Sequence, residues 1–138
     1  MRKSQMMLAA VLICILIAGV VAPGIAVAAV TYVAVDEILV SLTINSSGKA
    51  TCLASLQAIS TANTPVLTLT LKRSADGRVW STLHTWTKMG TGVLGVAISE
   101  YPIVTSGHQY KLTATGRIKS SQGVVLETVS ISSSVVSY

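Results

Sequence analysis

Residues 65–87, PVLTLTLKRSADGRVWSTLHTWT, decide the fold. From Val66 onward, Leu67, Leu69 and Leu71 alternate with Thr68, Thr70 and Lys72, which is the period of a strand with one face wet. Asp76-Gly77 then turns the chain. Between two such runs this pair marks a hairpin, because Gly takes positive φ without steric cost and Asp tolerates the left-handed region. Beyond the turn, Trp80, Thr82, His84 and Trp86 share one parity, while Val79, Ser81, Leu83 and Thr85 share the other. Strict alternation predicts a face carrying a ladder of aromatic and polar groups, of the kind that binds carbohydrate or protein. A bulge would instead bring Trp80 and Leu83 to one side and let an indole cap the core.

Outward from this hairpin, the remaining runs are also strand-like. Residues 30–35 and 38–44 read as a first strand interrupted at Asp36-Glu37, where a bulge or edge turns charge outward. Asn45-Ser46-Ser47-Gly48 is a turn, and residues 49–59 form a second strand in which Ala50, Cys52, Ala54 and Leu56 share a face. Residues 93–99 start another strand, which Glu100-Tyr101-Pro102 disturbs, since proline removes a ladder donor. Residues 108–115 are the best central strand, with Tyr110, Leu112 and Ala114 on one side and Lys111, Thr113 and Thr115 on the other. A basic, polar loop over 116–123 and a last strand over 124–131 complete the pattern. About seven runs, with no βαβ alternation, predict a single antiparallel β-sandwich.

The first 28 residues have a different character. Arg2 and Lys3 precede an apolar run over residues 6–22, Pro23 and Gly24 break it, and Ala26-Val27-Ala28 supplies small residues for cleavage. A signal-peptide helix over 1–28 is therefore expected, with a domain over 29–138 that is secreted or displayed at the cell surface. A membrane would be involved only through this leader if it were left uncleaved. About 110 residues remain after its removal, enough for one domain. The formal charge of +5 falls to +3 without Arg2 and Lys3. Because the cations are spread along the chain rather than clustered among stacking aromatics, nucleic acid is not expected as a partner. Attraction to an anionic cell-wall polymer or glycan stays open. Of the two cysteines only Cys52 lies beyond the leader, so no intrachain disulfide can form in the mature domain. Cys52 reads as a buried, inert thiol.

At Gly107-His108-Gln109-Tyr110-Lys111-Leu112, with Leu71-Lys72-Arg73 and Gly77-Arg78-Val79-Trp80 before it, the chain resembles immunoglobulin-like and fibronectin type III-like modules. It also looks like the small exported single-domain proteins of Gram-positive bacteria. The resemblance implies an immunoglobulin-like sandwich with Tyr110 at the tyrosine-corner position. Leu112 stands where antibody-type domains carry their second cysteine, and Leu69 where they carry a core tryptophan. A true antibody-type domain is thus not implied.

Motifs of known chemistry are missing from the sequence. His84 and His108 stand apart from any His-X-His, Cys-X-X-Cys or His-Glu-X-X-His pattern, and no Gly-X-Ser-X-Gly elbow occurs. Two carboxylates could still meet in space, Glu100 and Glu127 for example, but nothing in their spacing marks them as a catalytic pair. The chain therefore reads as non-catalytic, with no cofactor and no metal. Its expected function is a secreted or cell-surface binding or adhesion module, with Trp80, His84 and Trp86 as the surface for a cell-wall glycan or another surface protein. The alternative is a structural subunit that self-associates through strand edges into a homo-oligomeric extracellular assembly.

Overall fold

A computed structural model describes residues 31–138, so the expected signal peptide over 1–28 lies outside the described residues. Eight strands follow in order: β1 (Val35–Ile44), β2 (Ala50–Ala58), β3 (Thr64–Ser74), β4 (Ser81–Met89), β5 (Val96–Glu100), β6 (Gln109–Lys119), β7 (Val125–Ser132) and β8 (Val136–Ser137). Every pairing between them is antiparallel. One sheet has the order β1-β2-β5; the other has β4-β3-β6-β7, with β8 added to β6. The two sheets enclose one core, so the chain is an all-β sandwich compatible with the immunoglobulin-like class. Here β4 pairs with β3, whereas in the antibody constant-type arrangement the fourth strand pairs with the fifth.

The alternation seen in the sequence builds this core directly. Leu67, Leu69 and Leu71 of β3, Leu112 and Ile118 of β6, Leu56 of β2 and Ile98 of β5 are fully buried. Each large aliphatic side chain removed from water this way stabilises the fold by about 1.5–3 kcal/mol. With no disulfide among the described residues, where Cys52 is free, these contacts carry the domain.

Tyr110 is fully buried at the start of β6, and its hydroxyl donates to the Thr105 carbonyl five residues upstream. This is the corner expected from the resemblance, and it ties the β5–β6 connection to the strand that follows. At the opposite end, Glu127 of β7 accepts the backbone N–H groups of Val33, Ala34 and Val35 at 2.9, 3.0 and 2.9 Å. One carboxylate thereby fastens the start of β1 to the other sheet. These bonds, that from Val33 first, hold its carboxyl below the usual glutamate range. Glu100 ends β5 and faces Cys52 across the ladder, so the two carboxylates sit at opposite ends of the sandwich and form no pair.

Two expected boundaries change. The strand anticipated from residue 93 begins at Val96, because Gly92 and Gly95 both take left-handed φ, of 43° and 72°, around the 3-10 turn Gly92–Leu94. The first half of the loop anticipated over 116–123 is strand: β6 runs through Gly116 to Lys119, and the turn is confined to the residues after it. Gly116 is in β6 for space rather than for turning. A Cβ there would lie 2.8 Å from Leu56 Cδ1 and 3.2 Å from Ile38 Cδ1, both reaching across from the other sheet. Asp36 forms the bulge expected in β1, where the pairing shifts between Val35 and Glu37.

Gly116→Ala is expected to overpack this contact and cost about 1–3 kcal/mol in denaturant unfolding. Adding Leu56→Val should return part of that loss, and additive costs in the double variant would refute the contact. Cys52 is fully buried, and burial, reinforced by the Glu100 carboxylate, pushes its thiol up to about 11. Because the folded value is raised, its contribution is present below the unfolded value of 9.0 and lost as pH rises toward about 11. Stability should fall over that window by on the order of 2 kcal/mol more in the native chain than in Cys52→Ala, and the native thiol should resist alkylation at pH 8.

Candidate functional site

Trp80 is positioned by the connection between β3 and β4. That connection is wider than a two-residue turn, running over residues 75–80. Ser74 and Asp76 organise it. Asp76 Oδ1 accepts the N–H groups of Arg78 (2.8 Å) and Val79 (3.0 Å), while the buried Ser74 hydroxyl accepts from Gly77 N–H at 2.8 Å. Gly77, at φ 77°, makes the left-handed step. The bond from Val79, with those from Arg78 and Ser74, keeps the Asp76 carboxyl below its ordinary value. Its anionic form is therefore already engaged by the loop.

Past the loop, a bulge divides the three residues expected to share a face. Leu71 pairs with His84 but Lys72 pairs with Thr82, which leaves Leu83 as the extra residue. Trp86 lies opposite Leu69, on the core side of the sheet, and is half-buried against the core cluster. His84 stacks on it, with ring centroids 5.4 Å apart and planes at 17°. Leu83 also packs on the core. Beyond the bulge the parity reverses, and half-buried Trp80 falls on the outer face, where the Lys111 ammonium sits 4.3 Å from the indole centroid. His84 and Trp86 thus form one group along the β4 edge, and Trp80 belongs to another.

The outer face around Trp80 carries a pattern that the sequence reading missed. Cross-strand register aligns Thr87, Thr68, Thr115 and Ser130 in one row across β4, β3, β6 and β7, and Thr85, Thr70, Thr113 and Ser132 in the next. Antiparallel strand geometry spaces these hydroxyls by about 4.8 Å across the strands and about 6.7 Å along them. Neighbours touch at 3.2 Å (Thr68 and Thr87), 3.0 Å (Thr115 and Ser130) and 3.2 Å (Thr113 and Ser132). A signal for this grid did exist: Thr68-Leu69-Thr70, Thr85-Trp86-Thr87, Thr113-Ala114-Thr115 and Ser130-Ile131-Ser132 repeat one hydroxyl spacing on four strands. Only the register shows that the four copies stand abreast.

Among the described residues the two histidines do not converge. His108 precedes β6 with Nδ1 3.1 Å from the Ser106 carbonyl, while His84 lies on β4. Among the described residues no group of three or more His, Cys, Asp or Glu side chains is placed to hold a metal ion. What the arrangement offers is a broad surface of hydroxyls ending in an indole. Neither a family model nor any curated protein matches this chain.

The split between the tryptophans is measurable. Trp86→Ala should lower stability by roughly 2–3 kcal/mol, less than a full core truncation, whereas Trp80→Ala should cost under about 1 kcal/mol. Equal losses in thermal melting would contradict the placement of the two indoles on opposite faces.

Proposed function

We propose that this protein is an exported, non-catalytic binding module of the Gram-positive cell-surface type, holding a carbohydrate on the outer face of the four-stranded sheet. The observation that carries this reading is the double row of hydroxyls beside Trp80. Carbohydrates present closely spaced hydroxyls along a chain together with apolar C–H faces, and this surface answers each feature. Hydroxyls both donate and accept, so contacts between neighbouring Thr and Ser side chains can be exchanged for contacts to sugar hydroxyls. Threonine side chains are stiff at χ1, and a sheet fixes their Cα positions, so little ordering cost remains on binding. Trp80 adds a rigid, amphipathic ring at the end of the rows.

The edges of the sandwich weigh against the reading as a subunit pairing through its strands. The edge strands β1, β4 and β7 each carry a register shift, and β5 has only five residues. Bulged or short edges disfavour pairing with another chain.

The test is affinity electrophoresis of the mature protein through gels containing soluble polysaccharides, beside Trp80→Ala and a Thr70→Val/Thr113→Val double variant. Retardation by at least one polymer is expected, with both variants folded as the parent and Trp80→Ala weakened by about 2 kcal/mol or more. Migration unaffected by every polymer, or variants that bind undiminished, would remove the hydroxyl face as the site.

A further inference from the structure

The charges on the hydroxyl face have one sign. Lys72 and Lys111 stand directly opposite each other across β3 and β6, and Arg117 and Lys119 occupy the same face at the other end of β6. None of the residues that share these cross-strand rows is Asp or Glu. The remaining register partner of Lys72 is Thr82, and Lys111 has the Trp80 indole beneath its ammonium. The acid of the β3–β4 connection, Asp76, has its carboxylate taken up by the N–H groups of Arg78 and Val79. Like charges placed directly opposite on a sheet destabilise it. The Lys72–Lys111 pair is thus a local cost with no carboxylate among its cross-strand partners to offset it, and an anionic ligand would relieve it.

We infer that the carbohydrate bound on this face is an acidic polysaccharide. This rests on the carbohydrate reading above and narrows it to a substrate class. The polymer lies along the strands. From Lys111 to Arg117 is six residues of β6, about 20 Å, with the hydroxyl rows between them. An anionic group of one sugar unit sits at the Lys72–Lys111 pair, beside the Trp80 ring. A later anionic group meets Arg117, whose planar guanidinium can take a carboxylate with two hydrogen bonds. Sugar hydroxyls between the two anionic groups exchange hydrogen bonds with Thr70, Thr113 and their neighbours.

Two polymers of one backbone decide the question: polygalacturonate and its carboxyl-reduced derivative, compared by affinity electrophoresis and titration calorimetry at low and high salt. The proposal expects polygalacturonate to bind, the reduced polymer to bind about tenfold or more weakly, and salt to erase the difference. Lys72→Gln should weaken polygalacturonate binding about tenfold, yet melt no lower than the parent because the like-charge pair is relieved. Lys49→Gln makes the same change in net charge on the other sheet's side and should alter binding less than about twofold. Equal binding of the two polymers would overturn the acidic specificity and leave carbohydrate binding intact. Binding of neither, with no neutral polymer bound, would remove both. Equal losses in Lys72→Gln and Lys49→Gln, or single-stranded DNA competing as well as polygalacturonate, would also overturn it, since net charge alone would then be at work.

Discussion

The eleven-pair register between β3 and β6 is the constraint on which the rest of the molecule depends. It sets Leu69 against Ala114 and Leu71 against Leu112 on one side, and Thr68 against Thr115, Thr70 against Thr113 and Lys72 against Lys111 on the other. Because side chains alternate strictly, a slip of one residue would carry the leucines to water and the hydroxyls into the core. The burial of the leucine side therefore determines which groups stand together on the exposed side. Core and candidate site are two faces of a single pairing.

A sandwich without a disulfide has to be closed at its ends by other means. The Tyr110 hydroxyl does this at one end, bound to the Thr105 carbonyl, and the Glu127 carboxylate does it at the other, on three N–H groups of the incoming chain. The Tyr110 bond and those from Ala34 and Val35 are half-buried, so loss of one partner there leaves the other unsatisfied, whereas the bond from Val33 is exposed. Glu127 and Asp76 have depressed folded values, so their contributions are present above the unfolded carboxylate range and are lost as pH falls through the folded values. Cys52 works in the opposite direction at alkaline pH. The fold is therefore most secure between these limits.

The two sheets also carry charge unequally. Asp36, Glu37 and Glu100 lie on the β1-β2-β5 sheet, with Lys49 just before β2, while Lys72, Lys111, Arg117 and Lys119 project from the outer face of the other, whose Glu127 is bound to the start of β1. A modest net charge thus becomes a polarised molecule, and a basic sheet face lined with hydroxyls is a surface on which a ligand can be steered as well as held. Rigidity helps, since the face is built on paired strands rather than on loops.

By itself the sequence determined the local periods: leucines every second residue in β3, the hairpin at Asp76-Gly77, the interruption at Asp36-Glu37, the parity of Cys52 and the place of Tyr110. Each follows from a few neighbouring residues, because strand alternation and turn chemistry are local properties. It did not determine which residues of β4 share a face. The bulge at Leu83 depends on how β4 meets β3, and that one extra residue parts Trp80 from Trp86. Nor could local reading show that Gly116 belongs inside a strand, since the reason is the approach of Leu56 and Ile38 from the opposite sheet. The hydroxyl grid was spelled four times along the chain. It became a surface only when tertiary register set the four strands side by side, and register follows from burying one face of every strand at once.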